Sequence, residues 1–220
     1  MPLSTRASPP TRPRASPRSA ITTNTCCTRK GAPASAGAPF FMVARRPKKA
    51  VRSGSARISI MPGPTFVTTD PGSAAAAAML WAYYEDIVGR YWGRLALPAE
   101  VESAMADEPS HDLQGGTGLL VLGMLDRVPV ACGGVRFVGA GIGELTRVYV
   151  AAQARGTGTG AALLDHLSEL AVDAGLTQLR LTVRTDLIEA RRLYARAGYA
   201  EVAPFNTEPY AEHWFAKDLR

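Results

Sequence analysis

Only three cysteines occur in the 220 residues, too few for a disulfide framework. Cys26 and Cys27 are adjacent, Cys132 stands alone in an apolar, glycine-rich stretch, and no Cys-x-x-Cys or Cys/His spacing is present, so no metal site is expected. This usage fits a reducing cytoplasm. Long apolar runs are missing as well. No stretch reaches the roughly 18 residues of a membrane-spanning helix, so no membrane partner is expected. Acidic residues are absent from residues 1–60, which hold twelve Lys or Arg. The other 13 basic residues and all 19 acidic ones lie in residues 61–220, so the net charge of +6 averages a basic segment with one that carries −6. The basic balance belongs to the first part and gives no support for a nucleic-acid-binding core.

Residues 1–60 also hold eight of the 16 prolines, among Ser, Thr, Ala and Arg. No helical or strand period survives that many prolines, and the segment reads as a disordered basic tail. Three explanations stand. Translation begins at Met61 (or Met42), and the segment is not native; the tail is real but has no specific role; or it is a targeting or polyanion-binding arm. The third has the Arg- and Ser-rich, acid-free composition of a transit peptide, but its prolines oppose the amphipathic helix such a peptide needs. Residues 61–220 form the globular domain. The chain is 46% hydrophobic, which suffices for a core.

Thr65–Thr69 reads as a strand. Asp70 or Ser73 then caps a helix to about Tyr91, whose apolar face carries Leu80, Trp81, Tyr84, Ile87, Val88 and Tyr91. A second helix starts at Pro98 and is ended by Pro109. Three strands follow as an antiparallel meander: Gly118–Met124, Val130–Val138 (interrupted by Gly133-Gly134) and Glu144–Val150. Beyond a glycine loop, Leu163, Leu167, Leu170 and Ala174 share a helical face, and Gly175 is the natural stop. Gln178–Val183 alternates as a strand. Asp186 followed by Glu189 resembles a capping box opening a helix over Leu187–Ala197, and Tyr199–Ala203 and His213–Lys217 are the last strands. The order β-α-α-β-β-β-α-β-α-β-β describes a single mixed α/β domain.

The loop Arg155-Gly156-Thr157-Gly158-Thr159-Gly160, followed by Ala161, lies between a strand and a helix. Three residues without Cβ let backbone N–H groups converge on an anion, and the next helix adds the positive end of its dipole. A diphosphate is the natural guest, with Arg155 as a charged donor at the mouth. Gly156-x-Gly158-x-x-Ala161 also matches a dinucleotide fingerprint, but no carboxylate stands about twenty residues on, and the preceding strands are antiparallel. A Walker loop would need Gly-Lys-Ser/Thr, which is absent. A glycine-rich turn that binds nothing is the remaining alternative.

Arg155-x-x-Gly158-x-Gly160, then a helix and a strand, then Ala190-Arg191-Arg192-Leu193-Tyr194-Ala195-Arg196-Ala197-Gly198-Tyr199, resembles the GNAT superfamily of N-acetyltransferases from Glu144 to Val202. The flanking elements over residues 65–217 fit more loosely. The resemblance implies a mixed, mostly antiparallel central sheet flanked by helices, and an enzyme moving an acetyl group from acetyl-CoA to a primary amine by direct attack. It departs from the pattern at Leu187, where many members carry Asn near the pantetheine.

What the resemblance implies can be placed residue by residue. The backbones of Val148 and Val150 would pair with pantetheine in a gap between the fourth and fifth strands. The amides of Arg155, Gly156, Thr157, Gly158, Thr159, Gly160 and Ala161 would hold the pyrophosphate. An N–H near Val148 or Tyr149 would steady the oxyanion. Tyr194 would protonate the leaving thiolate; by pattern alone it is also a core aromatic. Glu144 would be the general base, against a solvated strand-end carboxylate, a water relay or His213 in that role. Cys132 as a nucleophile has nothing to activate it.

The acceptor side would be built by the first two helices and the last strand pair. Arg90 and Arg94, four apart, suggest either a site for an acceptor carboxylate or a solvated basic helix end. The acidic balance of the domain suggests a cationic amine instead. A small-molecule amine is the leading acceptor, a protein or peptide amine the second, and an idle acyl-CoA-binding sensor the third. Dimers are common in the family, so a homodimer is an assembly open to the chain.

Overall fold

The computed structural model describes residues 63–219. The expectations for residues 1–60 and for a start at Met61 lie outside the described residues. Seven strands and four helices follow the expected order: β1 Thr65–Thr68, α1 Ala74–Trp92, α2 Pro98–Asp107, β2 Gly118–Leu125, β3 Val128–Gly139, β4 Ile142–Val150, α3 Thr159–Asp173, β5 Gln178–Val183, α4 Ile188–Arg196, β6 Ala200–Glu201 and β7 His213–Asp218, with a 3-10 turn at Ala152–Ala154 before α3. No helix among the described residues is long and apolar enough to cross a membrane.

The sheet order is β1-β2-β3-β4-β5-β7-β6. All neighbours are antiparallel except β4 and β5, which run parallel. Their pairing is short: Ile142, Gly143 and Glu144 lie opposite Gln178, Leu179 and Arg180, and the register stops there. By contrast, β5 pairs with β7 over its full length, from Gln178–Asp218 to Val183–His213. The sheet is therefore two antiparallel halves joined by a three-residue seam. Beyond Glu144, the side of β4 that faces β5 has no ladder partner.

Helix α3 covers one face, where Leu163, Leu164, Leu167 and Ala171 pack with Val121, Val135, Leu179 and Leu181. Each fully buried leucine stabilises the fold by about 1.5–3 kcal/mol relative to an exposed one. Helices α1 and α2 lie on the opposite face, over two smaller clusters that include Ala76, Leu80 and Leu120, and Met79, Leu122 and Cys132.

Four local expectations are corrected. Gly133-Gly134 does not interrupt β3; the strand runs through with a bulge against β4 between Cys132 and Gly134. A Cβ on Gly133 would meet Leu167 Cδ1 at 2.7 Å, and one on Gly134 would meet Leu113 Cδ1 at 2.8 Å. These glycines let α3 and the segment at Leu113 approach the strand closely. Asp186 does not cap α4. Its carboxylate accepts from Arg184 Nε and Nη2 at 2.9 Å each, and Leu187 stands at the N-cap without a side-chain bond. Strand β6 has two residues rather than five. Arg94 does not share a helical face with Arg90, because α1 ends at Trp92 on the left-handed Gly93 (φ 66°). Of the two candidate caps for α1, Ser73 is the one used, accepting from Ala76 N–H at 3.3 Å.

Candidate active site

A cleft of about 1970 Å³ opens where β4 and β5 part. A pocket for one drug-sized ligand spans roughly 300–1,000 Å³, so this cleft has room for two partners side by side. Its floor includes Val148, Tyr149 and Val150, and one end is the glycine loop with Gly158, Gly160 and Ala161. Leu187, Ala190, Leu193 and Tyr194 of the α4 region line one wall; Tyr84, Glu108, Glu144, Glu208 and Tyr210 lie among those at the other end.

The loop has the form of an anion cradle. Gly156 (φ 77°) and Gly158 (φ 89°) are in the left-handed region, and a Cβ at either would meet nothing within 4 Å. The space over the loop is therefore free. Gly158 is the N-cap of α3 and supplies no side-chain acceptor. The first helical amides, from Thr159 to Ala161, thus have no intrahelical partner; the main-chain ladder begins with Ala162 N–H on Gly158 O at 3.1 Å. Thr157 Oγ bonds to Ala154 O (2.8 Å) and lies 2.9 Å from Thr159 Oγ, which holds the loop's shape. Arg155 lies back along β4: Nε donates to Val150 O at 2.8 Å, Nη2 is 3.3 Å from Asp86 Oδ1, and the guanidinium lies 5.6 Å from the Tyr149 ring centre. Its charge stands beside the loop but faces a carboxylate of α1.

Midway, β4 is bent by Arg147, a non-glycine residue at φ 55°. Its side chain is buried and donates to Ser110 Oγ (3.0 Å), Thr146 Oγ (2.8 Å), Glu108 O (2.7 Å) and Glu108 Oε2 (3.2 Å). The guanidinium also lies against the rings of Tyr83 and Tyr84 at 5.8 and 5.1 Å. Arg147 thereby ties the end of α2 and the middle of α1 to the bulged strand. Nothing in the sequence pattern marked it, since an Arg in a strand is ordinarily solvated.

Tyr194 is 7% exposed and lies among Tyr199 and Phe215, with ring centres 5.9 and 6.4 Å away. It is thus a core aromatic and, at the same time, part of the cleft wall. Burial, reinforced by the neighbouring Tyr83 and Tyr199, pushes its phenol well above the usual tyrosine range, so it stays protonated. Glu144 stands at the last paired position of β4. Arg180 donates to its Oε1 from Nε at 2.9 Å and from Nη2 at 2.6 Å. His213 lies outside the cleft lining; its Nδ1 is 2.6 Å from Glu201 Oε1 and its Nε2 3.1 Å from Thr185 Oγ. Cys132 is fully buried and its thiol is pushed up to about 12 by burial, which leaves it inert.

On the far side, Phe205, Asn206, Glu208, Pro209 and Tyr210 of the 205–212 segment line the cleft. Asn206 Oδ1 accepts from Trp214 Nε1 at 2.8 Å, Phe205 lies under the Arg180 guanidinium, and Tyr210 meets Tyr91 edge-on at 5.7 Å. Arg90 is taken by Asp86 (2.9 Å) and Glu189 (3.2 Å), and Arg94 by Glu100. The pair suggested for an acceptor carboxylate is thus engaged elsewhere.

Residues 73–199, more than half of the chain, match the model of the acetyltransferase (GNAT) family. A comparison with curated proteins finds no match. Among solved structures, an acetyltransferase of the GNAT family from Staphylococcus aureus superposes with a TM-score of 0.58 at 14% identity, over 71% of this chain and 99% of that one. An acetyltransferase from Streptococcus agalactiae does so with a TM-score of 0.58 at 12% identity, over 71% and 99%. A Klebsiella pneumoniae protein provisionally termed an acyl-CoA N-acyltransferase gives 0.55 at 24% identity, over 71% and 98%. At these identities the likeness concerns the fold.

Proposed function

The chain belongs to the acetyltransferase (GNAT) family, and on that premise we propose that it acetylates the primary amine of a small molecule by direct attack. Acetyl-CoA is the acyl donor and supplies an activated thioester. The residues present fit it: the free space over Gly156 and Gly158, the unpartnered first turn of α3 and the unpaired edge of β4 make one continuous lining. In this reading the amides of Arg155 through Ala161 hold the pyrophosphate, with the Arg155 guanidinium alongside. The backbones of Val148 and Val150 take the pantetheine as an added strand.

Tyr194 is the proton donor to the leaving sulfur. The same burial that raises its phenol keeps the proton in place until a thiolate forms beside it. Glu144 is the base, with Arg180 fixing Oε1 and leaving Oε2 to receive the proton of the amine, directly or through a water. A backbone N–H at the bulge, near Val148 or Tyr149, steadies charge developing on the carbonyl oxygen; such a donor is worth about 10²–10³ in rate.

The observation that carries the small-molecule reading is the Tyr91–Tyr210 contact, which joins the end of α1 to the 205–212 segment over the acceptor end. A peptide would need an open groove there. The test is CoA release by the full chain with acetyl-CoA, against a panel of small amines and of peptides with free α- or lysine amines. The reading predicts turnover with small amines; turnover confined to peptides would overturn it. The cysteine usage supports a cytoplasmic setting.

A further inference from the structure

Five carboxylates stand around the acceptor end of the cleft: Asp107, Glu108, Asp112, Glu144 and Glu208. Three of them already face a guanidinium. Glu108 pairs with Arg147, Asp112 with Arg136, and Glu144 with Arg180. Asp107 and Glu208, both exposed, do not: the Glu208 carboxylate lies 3.5 Å from Thr182 Oγ, and no cation lies within ion-pair distance of it among the described residues. Partial burial, and then the charges of Glu144 and Glu108, hold its carboxyl above the usual carboxylate range, against the opposing charge of Arg136.

The cations of the same end are all taken. Arg90 faces Asp86 and Glu189, Arg136 faces Asp112, Arg147 faces Glu108, and Arg184 faces Asp186. An acceptor carrying a carboxylate would have to displace one of these pairs and would add a like charge beside Glu208. An acceptor carrying a second cation would give Glu208 the partner that the protein does not supply. Glu208 is also held in place for this. The 205–212 segment is pinned by Asn206 on Trp214, by Phe205 under Arg180 and by Tyr210 on Tyr91, and Glu208 O accepts from Ala211 N–H at 3.1 Å.

We propose that Glu208 is the specificity-determining residue of the acceptor site, and that the acceptor is an amine bearing a second cationic group and no carboxylate. This inference rests on the acetyltransferase reading of the same cleft. The second cation sits at Glu208, while the reacting amine lies toward Glu144 and Tyr194. Selection follows from charge balance: a like charge is repelled, a neutral end leaves Glu208 unpaired, and a cation neutralises it.

The experiment uses the full chain with acetyl-CoA and a matched set of linear amines: diaminobutane, pentylamine and aminopentanoate, plus longer members of each series. Each carries the reacting amine at one end and an ammonium, a methyl or a carboxylate at the other. The wild type should prefer the diamines by about two- to fivefold in kcat/KM over the matched monoamines, the scale of one ion pair near a protein surface. It should disfavour the carboxylates further. Glu208→Gln should abolish the preference by raising KM for the diamines to that of the matched monoamines, and Glu208→Lys should shift the preference toward aminopentanoate. Equal or better turnover of the monoamines or carboxylates by the wild type, or a diamine preference that survives Glu208→Gln, would overturn this inference alone. Absence of CoA release with every amine and peptide would overturn the acetyltransferase reading and this inference with it.

Discussion

Arg180 grips one oxygen of Glu144 twice, from Nε at 2.9 Å and Nη2 at 2.6 Å, and leaves Oε2 outside that grip. The pair stands at the last rung of the seam between β4 and β5, where the cleft begins. Arg180 therefore fixes the direction of a carboxylate that still has an acceptor to offer. Glu144→Gln should keep the fold, since an amide oxygen can take the place of Oε1 and a partly exposed pair contributes no more than about 1 kcal/mol. Its kcat should fall by about 10²-fold or more. A variant with wild-type kcat would remove Glu144 from the chemistry.

Tyr194→Phe removes one oxygen and retains the contacts with Tyr199 and Phe215. The expected result is a loss of about 10²–10⁴ in kcat with acetyl-CoA affinity nearly unchanged. Because burial raises the phenol's pKa, no alkaline loss of activity should be traceable to Tyr194 below about pH 10. Undiminished kcat in the variant would return Tyr194 to a packing role.

Tyr84, Tyr194 and Tyr199 are all pushed above the usual phenol range, chiefly by burial. Unfolding releases them to ordinary tyrosine behaviour, with titration near pH 10. Above that pH the unfolded chain binds fewer protons than the folded one, so stability falls as pH rises; below it these groups contribute no pH dependence. Melting temperatures through the alkaline range should therefore decline steeply only above about pH 10, and Tyr199→Phe should shallow the decline. An unchanged slope in that variant would contradict the assignment.

Gly158 stands at φ 89° with open space where a Cβ would go. Gly158→Ala should therefore cost about 1–2 kcal/mol from backbone conformation rather than from collision. The added methyl would also reach into the cradle, so CoA binding, followed by calorimetry, should weaken. Gly175→Ala, at φ 79° in the α3–β5 turn, should destabilise by a similar amount without touching CoA affinity. Equal effects of both on binding would count against the loop as the pyrophosphate site.

The element order was readable because each segment carries its own period and its own stop: Ser73, Gly175 and Gly198 all act as expected at helix ends. The places of the glycine loop before α3 and of Tyr194 on α4 were readable because a dense local motif surrounds them. What escaped depends on partners distant in sequence. Arg147 is fixed by Glu108 and Ser110, and Arg155 meets Asp86 only because α1 lies across β4. Gly133-Gly134 looks like a strand break, and it takes Leu167 and Leu113 on opposite faces to explain it. Glu208 sits in an aperiodic segment, and its isolation is visible only once the neighbouring carboxylates have found their cations. Asp186 followed by Glu189 has the spacing of a cap, but α4 starts one residue later, with Leu187 at its N-cap, and the aspartate accepts from Arg184, two residues earlier.

The central claim is that the parted β4 and β5 strands and the loop after them hold acetyl-CoA. A thermal-shift titration of the full chain with acetyl-CoA, CoA and NADH tests it most directly. Specific binding adds RT ln(1 + [L]/Kd), about 2.7 kcal/mol at a hundredfold excess over Kd. The account predicts a saturable rise with acetyl-CoA and with CoA, and none with NADH. A folded chain that shows no shift with either thioester or thiol, or the same shift with NADH, would contradict it.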